Sequence, residues 1–409
     1  MRRAVDAAAL SRLRAWFEPA TTDAHRKAVL RFRTFDPRAG LVAYRELLAR
    51  NGCAPYQGGS LALEPVDVGL EGAAIAGVYR GRFRSLDLAG DDRTSRILGV
   101  DPDVARPIEL SFLLALPAGF SAGTPVVLAL HGHGGRAETM LKTNAIGLAR
   151  RGMATLALDL PAHGERGREE PFVDPLHPER LTLGVRQATV DALALLHAGA
   201  SCGFQLPDGE RFTPRTLRYL GYSLGAAIGV LLRAVEPELG TTVLVAPPGD
   251  LVEWQVQQVP KRLGAETYTG CSGGAAHGRP CRDPSACGPD GTCVFDPQII
   301  LLSDVVSSSY GALFGGADPV AFAGERTGSA STAPLLLIAG GLDTTIGLLV
   351  GPRLADIYGL KLTADGGRRG AGTRFAYWPG LGHELFANET VREQAYDFLM
   401  TGGRQPHRP

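Results

Sequence analysis

From residue 126 onward the sequence alternates between short, almost continuously apolar runs and longer segments with helical spacing. Strands that are apolar on both sides are expected where a parallel sheet is covered by helices on both faces. The apolar runs cover residues 126–130, 154–158, 217–220, 242–245, 335–339 and 374–378. The helical segments cover residues 138–151, 181–197, 226–235, 345–358 and 390–400. The sequence therefore predicts an α/β protein with a mostly parallel, doubly wound sheet.

Three stretches differ from this alternation and indicate the domain organisation. Residues from about 4 to 50 carry helical periodicity that stops at Asn51-Gly52, which predicts a helical N-terminal extension over residues 1–60. Short runs between residues 66 and 116 predict antiparallel strands at the start of the sheet. The interval 247–333 lacks regular alternation, and we interpret it as a cap or lid, with a cysteine-rich loop at 271–293. The main α/β domain would then comprise residues 61–246 and 334–409.

The charged residues balance, with 42 Lys and Arg against 42 Asp and Glu. A chain without net charge has no overall field that attracts nucleic acid or an anionic membrane surface, so we expect neither as a partner. No apolar run is long enough to span a bilayer, and the basic start Met1-Arg2-Arg3 has no apolar stretch behind it. We therefore expect a small or neutral partner molecule, and any signal peptide to lie outside this chain.

Four of the six cysteines lie in one short polar loop. They are Cys271, Cys281, Cys287 and Cys293. An even number of cysteines in a loop too polar to form its own core favours two local disulfides. The alternative is a zinc site that includes His277, but none of the gaps is the short C-x-x-C pair that structural zinc sites usually have. We therefore favour disulfides and expect no metal and no cofactor.

The other two cysteines, Cys53 and Cys202, form a third disulfide or stay as buried thiols, and the sequence leaves both open. Disulfides persist in oxidising compartments. The cysteine pattern therefore predicts a protein that is secreted or located in the periplasm or cell envelope.

An apolar run meets a helical segment at Gly221-Tyr222-Ser223-Leu224-Gly225. A serine on a sharp strand-to-helix turn needs small flanking residues, because the backbone passes close to its neighbours there. The following helix N-terminus favours negative charge that develops at the serine. The alternative is an ordinary helix N-cap serine. The same pattern surrounds Ser272, but no strand precedes it and no helix follows, so we interpret that match as chance.

A serine hydroxyl becomes a nucleophile when a base takes its proton, so this interpretation needs a histidine held by a carboxylate. In a sheet of this type both partners follow later strands, in the order Ser, Asp, His. Asp343 follows the fifth apolar run, and His383 follows the sixth. Asp304 and Asp318 are rival acids, but they lie in the inserted segment and not at a strand end. The predicted catalytic residues are Ser223, Asp343 and His383.

The loop after the first apolar run, His131-Gly132-His133-Gly134-Gly135, has the glycines that let a backbone turn its N–H groups inward. We predict that the oxyanion of the reaction is bound by the N–H groups of Leu224 and His133, with Gly134 as the neighbouring alternative to His133. Aromatic residues are the candidates for the substrate pocket. They are Tyr222, Trp254 and Tyr310.

Five segments together resemble the α/β-hydrolase superfamily. They are His131-Gly132-His133-Gly134-Gly135, Asp159-Leu160-Pro161-Ala162-His163-Gly164, Gly221-Tyr222-Ser223-Leu224-Gly225, Gly341-Leu342-Asp343 and Gly382-His383. The branch with similar motifs includes acetyl xylan esterases, dienelactone-hydrolase-like enzymes and the catalytic domain of prolyl oligopeptidases. The resemblance spans residues 66–400. The sequence departs from dienelactone hydrolases in its serine nucleophile, and from all these relatives in its cysteine-rich insertion.

The resemblance implies a serine esterase. The substrate would be an ester of a small molecule or of a polymer. Its acyl group would pass to Ser223, and water activated at His383 would hydrolyse the acyl-enzyme and release the acid. One alternative is a peptidase or amidase with the same triad, although such peptidases usually add a propeller domain, whose repeated strand blocks this sequence lacks. The other alternative is a relative that binds without catalysis.

Overall fold

The alternating elements are present in the computed structural model of the chain. The structure describes residues 36–56, 59–88, 106–167, 178–249, 251, 268–272, 274, 287–288, 292–295, 317–323, 330–343, 345–346, 350–362, 368–370 and 373–403. Residues 1–36 and 37–409 form two compact units, and the second is the one considered below. Most of the predicted N-terminal extension lies outside the described residues. So do the candidates Trp254, His277, Cys281, Asp304 and Tyr310.

The predicted apolar runs form six neighbouring parallel strands at the centre of the sheet. In chain order they are β4 (Val126–Leu130), β5 (Ala154–Leu158), β8 (Leu217–Tyr222), β9 (Thr242–Val245), β12 (Leu335–Gly340) and β15 (Thr373–Trp378). Their spatial order is β5-β4-β8-β9-β12-β15, with parallel pairing throughout. All residues of β4, β5, β9 and β12 are buried, as expected for strands covered on both faces.

Strands with mainly antiparallel pairing extend this centre at both edges. On one side lie β1 (Leu61–Pro65), β2 (Ile75–Asp87) and β3 (Arg106–Pro117), followed by the short β6 (Phe204–Gln205) and β7 (Arg211–Phe212). On the other side lie β13 (Lys361–Leu362) and β14 (Arg368–Gly370). Within the described residues the sheet has 13 strands. The predicted antiparallel strands at its start are confirmed, because β2 and β3 pair over their full length.

Helices cover both faces of the sheet. They are α1 (Ala39–Asn51), α2 (Ala137–Ala149), α3 (Pro178–Cys202), α4 (Leu224–Val235), α5 (Pro319–Ala323), α6 (Val350–Ile357) and α7 (Glu389–Thr401). Side chains alternate along β4, so Val126, Leu128 and Leu130 pack with α1, α3 and α4. Val127 and Ala129 pack on the opposite face with α2 and α7. The doubly wound prediction is therefore confirmed.

Helix α1 is fixed to α3 by a disulfide. The helix ends at Asn51, and Gly52 (φ 50°) donates its N–H to the Leu48 carbonyl, as the predicted helix stop requires. Cys53 follows at once and pairs with Cys202, the last residue of α3, with their Cα atoms 5.3 Å apart. Of the two alternatives for these cysteines, the structure shows the disulfide.

The segment predicted as a cap has its beginning, near Leu251, and its later part, near Asp318, next to each other in the fold. Asp318 accepts a hydrogen bond from the Leu251 N–H at 3.2 Å and another from the Val320 N–H at 3.0 Å. Phe322 in α5 packs in the core beside α4, so the end of the segment is part of the main domain's interior. Asp318, the rival acid, therefore joins two chain segments of the insertion.

Within the insertion, β10 (Tyr268–Ser272) and β11 (Thr292–Phe295) form a separate antiparallel hairpin. Cys271 on β10 pairs with Cys287, with their Cα atoms 5.4 Å apart. The side chain of Cys293 lies outside the described residues. None of the described helices is both long and apolar enough to cross a membrane.

Candidate active site

Ser223 lies on a strained turn between β8 and α4. Its φ of 52° and ψ of −114° are unusual for a residue with a side chain, and such strain is typical of functional sites. Its N–H donates to the Val245 carbonyl at 2.8 Å, which fixes the turn to β9. A Cβ on Gly225 would lie 2.3 Å from the Leu130 carbonyl oxygen, so only glycine allows α4 to begin this close to β4.

The three predicted catalytic residues form one chain of hydrogen bonds. His383 Nε2 lies 3.0 Å from Ser223 Oγ, and His383 Nδ1 lies 2.9 Å from Asp343 Oδ2. The carboxylate accepts, so Nδ1 carries the proton and leaves Nε2 to accept the serine proton. This tautomer is the one that a general base for Ser223 requires.

Asp343 is held by the backbone of the turn that follows it. Its Oδ1 accepts from the N–H groups of Thr345 and Ile346, each at 3.0 Å, and its Oδ2 faces His383. A Cβ on Gly340 would lie 2.4 Å from the Leu381 carbonyl oxygen, so glycine lets the loop with the histidine pass this close to the end of β12. The carboxylate thus has fixed partners on both oxygens.

Tyr222 contacts the loop that carries the histidine. Its hydroxyl donates to the His383 carbonyl at 3.0 Å and lies 3.3 Å from Glu384 Oε2, and its ring centroid is 5.3 Å from that of His383. Burial, together with the Glu384 carboxylate, raises the pKa of the Tyr222 hydroxyl, so the group keeps its proton. The Tyr222 hydroxyl is thus bonded to the protein's own backbone, and the place of its ring in a substrate pocket stays a prediction.

The glycine-rich loop after β4 reaches the serine. A Cβ on Gly132 would lie 3.0 Å from Ser223 Cβ, so this loop packs directly against the turn. Leu224 is the first residue of α4, and the first N–H groups of a helix have no acceptor inside the helix. The Gly134 N–H donates to His163 Nε2 at 3.0 Å, which leaves His133 as the better candidate of the two for the second donor.

Comparison with known proteins defines the fold. No protein-family model and no curated protein matches this sequence. An acetyl xylan esterase from Paenibacillus sp. R4 is similar in structure, with a TM-score of 0.52, 12% identity, and coverage of 93% of this chain and 99% of that one. Acetyl xylan esterase 1 from Thermoanaerobacterium sp. JW/SL YS485 gives a TM-score of 0.51 at 11% identity, with coverage of 89% and 94%.

This chain has the α/β-hydrolase fold. The fold class predicted from the sequence is thereby confirmed. In the α/β-hydrolase fold the nucleophile follows a central strand, and its partners follow later strands at the same edge of the sheet. Ser223 after β8, Asp343 after β12 and His383 after β15 occupy those positions here.

Two histidines beside the candidate site have side-chain contacts that the sequence did not predict. His131 donates from Nδ1 to the Gly132 carbonyl at 2.7 Å and accepts at Nε2 from the Leu160 N–H at 3.1 Å. Burial lowers the pKa of His131 to about 4, so the ring is neutral at ordinary pH. His163 has the same pattern, with Nδ1 2.7 Å from the Pro161 carbonyl oxygen.

Asp159 is a further residue that sequence reasoning missed. Its Oδ1 accepts from the Ala137 N–H at the start of α2 (2.7 Å), and its Oδ2 accepts from the Glu165 N–H (2.8 Å). The available signal was its position directly after β5. Its carboxylate ties the loop after β5 to the end of the loop after β4.

The second G-x-S-x-G motif, around Ser272, lacks the geometry that surrounds Ser223. Ser272 lies in hairpin strand β10, not on a strand-to-helix turn, and its neighbour Cys271 is disulfide-bonded. Among the described residues no group of three His, Cys, Asp or Glu side chains is arranged to hold a metal ion.

Proposed function

We propose that the protein is a serine hydrolase that cleaves carboxylic esters through an acyl-enzyme on Ser223. The observation that carries the proposal is the hydrogen-bonded chain from Ser223 Oγ through His383 to Asp343, located on a strained turn at the end of a central strand. A strained, nearly buried serine facing a correctly protonated histidine is expected where a nucleophile is activated.

In the proposed reaction His383 Nε2 takes the Ser223 proton while Oγ attacks the ester carbonyl carbon. The carbonyl oxygen becomes an oxyanion, which the N–H groups of Leu224 and His133 would stabilise. The tetrahedral intermediate collapses, the C–O bond breaks, and the alcohol leaves with the proton from His383. Water then gives its proton to His383 and attacks the acyl carbon, and Ser223 recovers a proton as the acid departs.

The ester class is supported by the two similar structures, which are both acetyl xylan esterases. On this basis we propose a short acyl group, on a small molecule or attached to a polymer. A peptidase or amidase would use the same triad, and a binding protein with this fold would not turn over either substrate.

The first test measures p-nitrophenyl acetate hydrolysis by wild type, Ser223→Ala and Ser272→Ala. Ser223→Ala should lower kcat by at least about 10³-fold, because the nucleophile is removed. Ser272→Ala, the matched control from the second motif, should leave kcat unchanged. Equal activity in wild type and Ser223→Ala would show the proposal to be wrong, and faster cleavage of p-nitroanilides would favour an amidase.

The same assay tests the choice of acid. Asp343→Asn should lower kcat by about 10²- to 10⁴-fold, because the histidine loses the group that fixes its tautomer. Asp318→Asn is the matched control, and it should retain kcat within about 3-fold. The reverse result would assign the role to Asp318.

We also propose a secreted or periplasmic location and a division into an N-terminal extension (1–60), a catalytic domain (61–246 and 334–409) and a cap (247–333). The location is supported by the two disulfides, Cys53–Cys202 and Cys271–Cys287. The cap is supported by the adjacent chain segments at Leu251 and Asp318. Counting free thiols in denaturant without reductant tests the location, and four or more free thiols would contradict it.

A further inference from the structure

Two histidines connect the glycine-rich loop after β4 with the loop after β5. We call these the oxyanion loop (residues 131–135) and the β5 loop (residues 159–166). His131 of the oxyanion loop accepts from the Leu160 N–H of the β5 loop at 3.1 Å. His163 of the β5 loop accepts from the Gly134 N–H of the oxyanion loop at 3.0 Å. The exchange is reciprocal, and the two ring centroids lie 5.1 Å apart.

Both rings must be neutral for these contacts to exist. A backbone N–H can only donate, so each Nε2 accepts and carries no proton. Each Nδ1 faces a carbonyl oxygen at 2.7 Å, Gly132 for His131 and Pro161 for His163, so each Nδ1 carries the proton. Both rings are almost fully buried, with 2% of their surface exposed. A buried ring with both nitrogens engaged has one orientation.

These contacts fix two successive peptide groups of the oxyanion loop. The first peptide joins Gly132 to His133, and its carbonyl oxygen accepts from His131 Nδ1 and from the Gly135 N–H (3.0 Å). In a planar trans peptide the C=O and N–H bonds point in opposite directions, so holding the Gly132 oxygen sets the direction of the His133 N–H. The second peptide joins His133 to Gly134, and His163 holds its N–H.

The β5 loop is itself firmly anchored. Arg166 pairs with the fully buried Asp191 of α3 at 2.6 Å, and Ser85 and Gln187 donate to the same carboxylate at 2.6 and 2.8 Å. Asp159 ties the loop to the start of α2. His163 therefore extends from a rigid support, which allows it to hold the oxyanion loop in one position.

We propose that His131 and His163 are positioning residues that direct the His133 N–H toward the oxyanion of the reaction. The inference rests on the proposed esterase function and adds two residues that do not touch the substrate. A misdirected donor stabilises the transition state less while leaving ground-state binding nearly unchanged, so kcat falls and KM does not.

The test compares His163→Leu, which cannot accept from Gly134, with His163→Gln, whose amide can accept there without becoming charged. We expect His163→Leu to lower kcat for p-nitrophenyl acetate by about 10- to 100-fold, a part of the 10²- to 10³-fold attributed to one oxyanion donor. KM should stay within about 3-fold of the wild-type value. His163→Gln should restore kcat to within about 5-fold of wild type.

A second readout separates positioning from general loss of structure. A phenylboronic acid forms a tetrahedral adduct on the serine, so its Ki should rise in His163→Leu by the same factor as kcat falls. His197→Gln is the matched control, because it removes a histidine paired with Glu236 (2.7 Å) and lies outside both loops. It should change stability but neither kcat nor Ki.

His131→Leu tests the peptide that joins Gly132 to His133 in the same way. If this variant does not fold, the comparison of His163→Leu with His163→Gln tests the proposal on its own. Unchanged kcat in His163→Leu, or a fall in kcat with unchanged boronate Ki, overturns the inference while leaving the esterase proposal intact. Equal turnover by wild type and Ser223→Ala overturns the esterase proposal and the inference with it.

Discussion

At the scale of single residues, Tyr222 connects two parts of the site that come from distant stretches of the chain. A Cβ on Gly132 would lie 3.1 Å from Tyr222 Cδ1, so the ring packs on the oxyanion loop. On its other side the ring contacts His383 and Phe386, with centroids 5.3 and 5.4 Å away. The residue before Ser223 thus contacts both His383 and the oxyanion loop.

Replacing Tyr222 by Phe keeps the ring and removes the bond to the His383 carbonyl. The bond is worth about 1 kcal/mol, so kcat for p-nitrophenyl acetate should fall by about 5-fold. Tyr396→Phe is the matched control, because it removes a hydroxyl bonded to Asn144 (2.9 Å) away from the site. Its kcat should equal the wild-type value, and an equal fall in both variants would contradict a specific role for Tyr222.

At the scale of elements, the disulfide between α1 and α3 closes the longest covalent loop among the described residues, with a sequence separation of 149 between its cysteines. Cys53→Ser with Cys202→Ser should lower the free energy of unfolding by about 2 to 5 kcal/mol, because the unfolded chain gains freedom. Urea unfolding measures the change. Since neither cysteine contacts the triad, kcat should be unchanged.

The shorter Cys271–Cys287 loop, with a separation of 16, supplies the comparison. Removing this disulfide should lower the free energy of unfolding by less, about 3 kcal/mol at most if the effect is loss of loop-closure entropy in the unfolded chain. An unchanged unfolding midpoint without Cys53 and Cys202 would contradict the stabilising role of their bond.

The elements that the sequence predicted well are those whose signal is local. The buried strands β4, β5 and β9 have the predicted bounds, because a strand covered on both faces is apolar throughout. The two-residue strands β6, β7 and β13 were missed, since two residues carry no periodicity. Their formation depends on neighbouring strands that the sequence alone does not position.

The candidate site was predictable for a related reason. Ser223, Asp343 and His383 each follow an apolar run, so their order along the chain predicted their proximity. The specific contacts of His131 and His163 were not predictable, because their partners are backbone groups with no sequence signature. The pairing of Cys53 with Cys202 likewise depends on the packing of α1 against α3.

At the scale of the whole molecule, the buried His131 makes stability depend on pH. Its pKa is about 4 in the folded protein and about 6.5 in the unfolded chain. Below about pH 6.5 the unfolded chain binds a proton that the folded protein does not, so stability falls as the pH drops toward 4. The full difference corresponds to about 3 kcal/mol. The free energy of unfolding, measured by urea titration between pH 7 and pH 4, should fall less steeply with pH in His131→Gln than in wild type. Parallel pH dependences of the two proteins would contradict this account.

The hydrogen bond between the Leu251 N–H and Asp318 has a consequence for how such a protein can change over generations. Leu251 and Asp318 lie on either side of a stretch of 66 residues and contact each other, so the length of that stretch should have little effect on the register of the sheet. Doubling the length of such a loop costs only about 0.6 kcal/mol in closure entropy. A segment of another length, inserted between these two residues by evolution or by design, should therefore leave the geometry of Ser223, Asp343 and His383 unchanged.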